Sequence, residues 1–227
     1  QCSKQLKFLS SFLKYFVHPK GNLKKTNFLL MQSMNKCEEL SFLKDTKGLS
    51  AIVMDMQPKL TANIKDEKLK SLLESLELLI DTMSCFSIPI AFTEQAPEKL
   101  GATLLSLSSK LSDPKTIDKN SFSAFGDDIF CKWVECNEFN HLLLSGIETS
   151  ICVYLTAIDA LRRGIGVTIL SDCVLSRREQ DGIAALKEVS KAGASILSLE
   201  SVLYSLLGSS KHPAFKKVSN LVKSRSK

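Results

Sequence analysis

Short apolar runs alternating with stretches of helical period constrain this chain more than any other feature. Residues 50–54 form one such run, ending at Asp55, and Leu69, Leu72, Leu73, Leu76, Ile80 and Met83 then recur at helical spacing with acids on the opposite face. Residues 88–92 give a second run, with Pro89 near its start, where a missing N–H does least harm. Thr116 and Ile117 open a third, and 127–138 reads as a helix. A strand at 142–147, a helix at 149–163, a strand at 166–171, a helix at 180–192 and a strand at 194–199 follow with short connections. Strands that alternate with helices pair in parallel, and the crossover helices cover both faces of the sheet. The expected fold is therefore α/β: a three-layer αβα, doubly wound, six-stranded and mainly parallel sheet in the order 3-2-1-4-5-6. Ligands bind such sheets where the winding reverses, at the carboxyl ends of strands 1 and 4.

Both of those ends carry chemistry. Asp55 ends the first strand, and Gly146-Ile147-Glu148-Thr149-Ser150-Ile151-Cys152-Val153 sets a cysteine into the first turn of the helix behind the fourth. Unpaired N–H groups and the helix dipole favour a thiolate there, and can bring a cysteine from about 8.5 into the range of roughly 3.5–7.5. Taken singly, each residue has a plainer reading: cysteines are mostly buried small hydrophobes, and a strand-ending aspartate caps loops. Their predicted convergence on one crevice is what singles them out.

Length and composition set the frame. With 227 residues, 44% of them hydrophobic, the chain suits one well-buried domain, expected at 49–227, behind a basic extension at 1–48. No apolar run approaches the roughly 18 residues that cross a bilayer, so no stable membrane insertion is expected. The cysteines, at positions 2, 37, 85, 131, 136, 152 and 173, show no Cys-x-x-Cys spacing, which argues against a disulfide framework and a structural zinc site and for a reducing, cytoplasmic setting. The net charge of +6 lives in the ends. Residues 1–37 carry seven lysines and no acid, residues 211–227 five lysines, Arg225 and no acid, and the body between them is acidic. An acidic body with basic extensions argues for a metabolic enzyme and against nucleic acid as partner. Leu6, Leu9, Phe12, Leu13, Phe16 and Val17 fit one stripe of a lysine-faced helix suited to a membrane surface, a partner groove or organellar targeting of residues 1–33; a poorly ordered extension is the plainer reading. At the other end, 212–222 is expected to form a short helix packed on the body through Phe215, Val218 and Leu221.

Three motifs in this order resemble those of the isochorismatase-like cysteine hydrolase superfamily: Ala51-Ile52-Val53-Met54-Asp55-Met56-Gln57, Lys119-Asn120-Ser121-Phe122-Ser123-Ala124-Phe125, and Gly146 to Val153. Thr93-Glu94-Gln95, Ser171-Asp172, Glu200-Ser201-Val202-Leu203 and His212-Pro213-Ala214-Phe215-Lys216 resemble more closely the small isochorismatase-domain hydrolases of that superfamily. The resemblance implies a catalytic triad of Asp55 as general base, Lys119 as its cationic partner and Cys152 as nucleophile, with a covalent thioester. It also implies an oxyanion site at the turn of Ile147, Glu148 and Cys152, built on a cis peptide between Ile147 and Glu148. Gln57, Glu94, Phe122 and Phe125 are the substrate-contact candidates, the two phenylalanines reading equally well as core. Asp172 reads better as a loop cap than as a substrate contact.

Departures from the superfamily narrow the activity. Its nicotinamidases bind a metal through an aspartate and histidines after the second strand, and Thr93-Glu94-Gln95-Ala96-Pro97 has no histidine, so no metal or cofactor is expected. His18, His141 and His212 form no constellation and read as surface or capping residues. True isochorismatases generally lack the nucleophilic cysteine, so Cys152 argues against vinyl-ether cleavage. Ser150 stands where the close subgroup often has histidine, which leaves the substrate open. The expected function is cofactor-independent hydrolysis of a C–N bond in a small amide-like or carbamoyl-like metabolite, by a homo-oligomer. The alternatives are a metal-free hydrolase of another small ester or ether, and a non-catalytic interaction protein on the same fold.

Overall fold

The structure is a computed structural model that describes residues 46–225. The basic extension, with the helix candidate at 6–17, lies outside the described residues apart from its last three positions. Among the described residues six strands form one sheet: β1 (Leu49–Met54), β2 (Ile90–Gln95), β3 (Lys115–Lys119), β4 (His141–Ile147), β5 (Gly166–Leu175) and β6 (Ser195–Leu197). Every pairing is parallel, in the order β3-β2-β1-β4-β5-β6. The six longer helices are α1 (Asp66–Cys85), α2 (Asp128–Cys136), α3 (Tyr154–Arg162), α4 (Glu179–Lys191), α5 (Leu199–Leu207) and α6 (Phe215–Arg225).

Because helices cover both faces, the central strands are buried at every position and mostly apolar. All six residues of β1 and all seven of β4 are buried. Alternate side chains of β1 serve different cores: Ala51 and Val53 pack with α1, α5 and α6, whereas Ile52 and Met54 pack with α2, α3 and α4. Helix α6 packs against α1 through Val218 and Val222, with Phe215 and Leu221 partly buried beside them. The tail is thus folded onto the body, and runs three residues further than its apolar pattern requires.

Several boundaries differ from the sequence reading. Strand β2 begins after Pro89, whose carbonyl accepts from Ala51 N at 2.9 Å, and continues to Gln95, so Thr93, Glu94 and Gln95 are strand residues. Strand β5 runs past residue 171 to Leu175, because Leu144 pairs with Ile169 but Gly146 pairs with Val174, and the intervening residues of β5 bulge. Strand β6 stops at Leu197, since Ser198 caps α5 by accepting from Ser201 N. His141 is not a surface or capping residue: it is buried between β4 and β5, with Nε2 2.9 Å from Thr168 Oγ1, and burial pulls its imidazole down to about 3.

Gly146 is required where it stands. Its φ is +98°, and a Cβ there would lie 2.1 Å from Met54 O, so only glycine lets β4 approach β1 at this point.

Candidate active site

Strands β1 and β4 are neighbours at the reversal of winding, and the residues just beyond their carboxyl ends face one another as the topology requires. Asp55 leaves β1 in the left-handed region, at φ 53°. Its N–H donates to Thr93 O at 3.0 Å, and its Oδ1 accepts from Thr93 Oγ1 at 2.7 Å, so the carboxylate is held by β2. Lys119 ends β3, two strands away, and its long side chain spans the end of β2 to donate from Nζ to Asp55 Oδ2 at 2.8 Å.

Cys152 sits in a π-helical turn, Thr149–Val153, that leads into α3. The wider turn shows in the five-residue bond from Val153 N to the carbonyl of Glu148 at 3.2 Å, a carbonyl that also accepts from Ile151 N at 3.0 Å. The Ile147–Glu148 peptide bond just before it is cis. This arrangement brings Cys152 Sγ within 3.7 Å of Lys119 Nζ. Asp55, Lys119 and Cys152 are exposed by only 0%, 2% and 7%, so their charges interact in a medium far less screening than water.

Electrostatics reverse one expectation drawn from the sequence. Burial pushes the Cys152 thiol up to about 12; the Asp55 carboxylate adds to this by charge and hydrogen bonding, and Lys119 offsets part of it. Burial beside a carboxylate thus favours the neutral thiol next to the Lys119–Asp55 ion pair.

Other candidates are placed as follows. Gln57 is fully buried and clamps backbone: Nε2 donates to Gln95 O and Gly101 O, and Oε1 accepts from Gln95 N at 2.8 Å. Glu94 is also committed to backbone, accepting from Thr103 N at 2.6 Å. Phe125 belongs to the core, edge-on to Phe130 with the Arg163 guanidinium over its ring. Gln57 and Glu94 thus hold backbone beside the site, and Phe125 packs beneath it. Phe122 is the exception, 59% exposed with its carbonyl 3.5 Å from Lys119 Nζ. Asp172 accepts from Leu199 N at the start of α5 and from Arg225 Nη1 at 2.9 Å, which fits capping. Thr93, Gln95 and Thr156 join the site without having been singled out as individual residues. Thr156 Oγ1 accepts from Ala124 N at 2.9 Å and ties the Lys119 loop to α3.

A hollow of about 450 Å³ adjoins the turn that carries Cys152, lined by Glu148, Ser150, Ile151, Arg177, Arg178 and Asp181. Arg177 pairs with Glu148 across it. A larger cleft of about 630 Å³ between α1, the end of β5 and α4 reaches this turn only at Thr149. Among the described residues no group of three or more His, Cys, Asp and Glu side chains is placed to hold a metal ion, and no helix is long and apolar enough to cross a membrane.

Comparison with known proteins agrees with this architecture. The isochorismatase domain model matches residues 51–201. Isochorismatase domain-containing protein 2 from Danio rerio is 32% identical over 177 residues, covering 78% of this chain and 88% of that protein. The protein of the same description from Xenopus laevis is 35% identical over 135 residues, covering 60% of this chain and 65% of its own length. Among solved structures, one from Caenorhabditis elegans described as the MAR1 ribonuclease superposes with a TM-score of 0.71 at 33% identity, covering 78% of this chain and 90% of that one.

Proposed function

The chain belongs to the isochorismatase domain family, and we propose that it is a cofactor-independent cysteine hydrolase that cleaves a C–N bond of a small amide-like or carbamoyl-like metabolite through a thioester. The observation that carries this reading is the buried contact of Lys119 with both Asp55 and Cys152, at 2.8 and 3.7 Å.

The neutral thiol needs a base at the moment of attack, and Asp55 is in place to serve. Cys152 Sγ adds to the carbonyl carbon while its proton passes to Asp55, and the carbonyl oxygen takes up negative charge. The N–H of Cys152 and the neighbouring amides of the turn after the cis bond are the donors for that oxyanion. Collapse breaks the C–N bond, the amine leaves with the proton from Asp55, and a thioester remains. Water then adds, giving its proton to Asp55; the C–S bond breaks, the acid departs and sulfur recovers the proton. Lys119, paired with that carboxylate, lowers the cost of charge on sulfur.

The test is turnover of a panel of small amides, carbamoyl compounds and esters by wild type and Cys152→Ala. Because the C. elegans relative is described as a ribonuclease, RNA belongs in the panel. Loss of amide or carbamoyl hydrolysis in the variant supports the reading. Hydrolysis that survives Cys152→Ala, or RNA cleavage alone, overturns it, and a panel left wholly untouched by wild type favours an interaction protein.

A homo-oligomer is part of the same proposal. Leu105, Ile129 and Ile183 are large apolar side chains at the surface that a second copy would cover. Light scattering at the mass of a single chain would contradict it.

A further inference from the structure

Lys119 Nζ has three protons and five acceptors around it. Two contacts are short, to Asp55 Oδ2 at 2.8 Å and to Gln95 Oε1 at 2.7 Å; Ser121 O, Phe122 O and Cys152 Sγ follow at 3.3, 3.5 and 3.7 Å. Once the two short bonds are made, one proton remains for Ser121 O, Phe122 O and Cys152 Sγ.

Gln95 is itself held at several points. Its N–H donates to Gln57 Oε1 at 2.8 Å, its carbonyl accepts from Gln57 Nε2 at 3.1 Å, and its Nε2 donates to Asn120 O at 2.9 Å. These bonds settle which way the amide faces, because Asn120 O accepts only from the NH₂ and the ammonium donates only to the oxygen. Register adds to this, since Gln95 pairs with Lys119 across β2 and β3.

We propose that Gln95 is a positioning residue for Lys119, its neutral amide oxygen fixing the ammonium between Asp55 and Cys152 without taking up its charge. A carboxylate in the same place would hold the lysine equally well and cancel its help to sulfur. An apolar side chain would keep the charge and release the group. Gln57 acts one step behind, clamping the strand end from which Gln95 reaches. This inference rests on the triad reading and adds a residue to it.

The experiment measures the rate of Cys152 alkylation by iodoacetamide on the full chain, by mass spectrometry of the peptide that contains it, against pH between about 7 and 9.5, where rate follows thiolate fraction. Gln95→Glu is expected to displace the profile about one unit to higher pH, a tenfold slower rate at a given pH, with its slope unchanged. Gln95→Met is expected to move it the same way by a smaller amount. A purely structural role would alter the melting temperature and leave the profile in place, and should Gln95→Met fail to fold, the isosteric Gln95→Glu decides. Profiles within about twofold of wild type for Gln95→Glu, with Lys119→Met still slow, overturn the inference and leave the triad standing. Labelling indifferent to Lys119→Met and Asp55→Asn overturns the triad reading as well.

Discussion

Lys119 Nζ and Asp55 Oδ2 meet at 2.8 Å with both side chains out of solvent. Removing one partner of such a pair strands the other charge in the interior, at a cost of about 3–5 kcal/mol. Lys119→Met should therefore lower the urea midpoint sharply, whereas Asp55→Asn combined with Lys119→Met should recover part of the loss. Additive losses in that double-mutant cycle would mean that the two groups do not share the energy.

In the proposed mechanism Asp55 has two effects of opposite sign: as the base it would speed turnover, but as an anion beside sulfur it holds the thiol up. Asp55→Asn is expected to cut kcat/KM by about 10²–10⁴-fold while making Cys152 easier to alkylate. Turnover and labelling that fall together would assign Asp55 a different role.

With the thiol raised to about 12, the fraction ionised rises tenfold per pH unit through the neutral range. Wild-type alkylation of Cys152 should climb without a plateau up to about pH 9.5, as expected when its pKa lies well above that of a free cysteine near 8.5. A plateau near neutral pH would reveal a resting thiolate.

His141 couples the fold to acid. Its imidazole is held at about 3 when folded and rises to 6.5 when released, so the unfolded chain binds the extra proton between those values. Stability is fully present above about pH 6.5 and declines as pH falls towards 3, with a slope approaching 1.4 kcal/mol per unit from this group. Urea titrations between pH 4 and 7 should show that slope, and His141→Gln should flatten it.

Gly146→Ala tests the backbone that brings β1 and β4 together. The added methyl would stand 2.1 Å from Met54 O on a residue of positive φ, and the expected loss is about 3 kcal/mol or more. A loss below about 1 kcal/mol would show that β4 can shift without disturbing the site.

Sheet order and the switch point were legible because strand and helix periods differ and because doubly wound sheets take few topologies. Asp55 and Cys152 could be named because each lies just beyond a strand at the switch point, and Lys119 only because its motif resembles the family's. The residues that hold them were harder to see. Gln57 and Glu94 have the polarity of substrate contacts, and only the paths of the 101–104 loop and of β2 show their amide and carboxylate bound to backbone. Thr93 and Gln95 gain meaning from register: Thr93 pairs with Met54, next to Asp55, and Gln95 with Lys119. Taking β2 to end at Phe92 hid that relation. The ionisation of Cys152 was misjudged for another reason, since a pattern locates a helix start but does not report how deeply a thiol is buried.

The most direct test of the cysteine-hydrolase reading is the intact mass of the full chain, quenched in acid during turnover of an amide or carbamoyl substrate found in the panel. The account predicts an added mass equal to the acyl portion of the substrate, mapped to Cys152 and absent in Cys152→Ala. Turnover at full rate with no such adduct, in protein whose Cys152 has been alkylated beforehand, would contradict it.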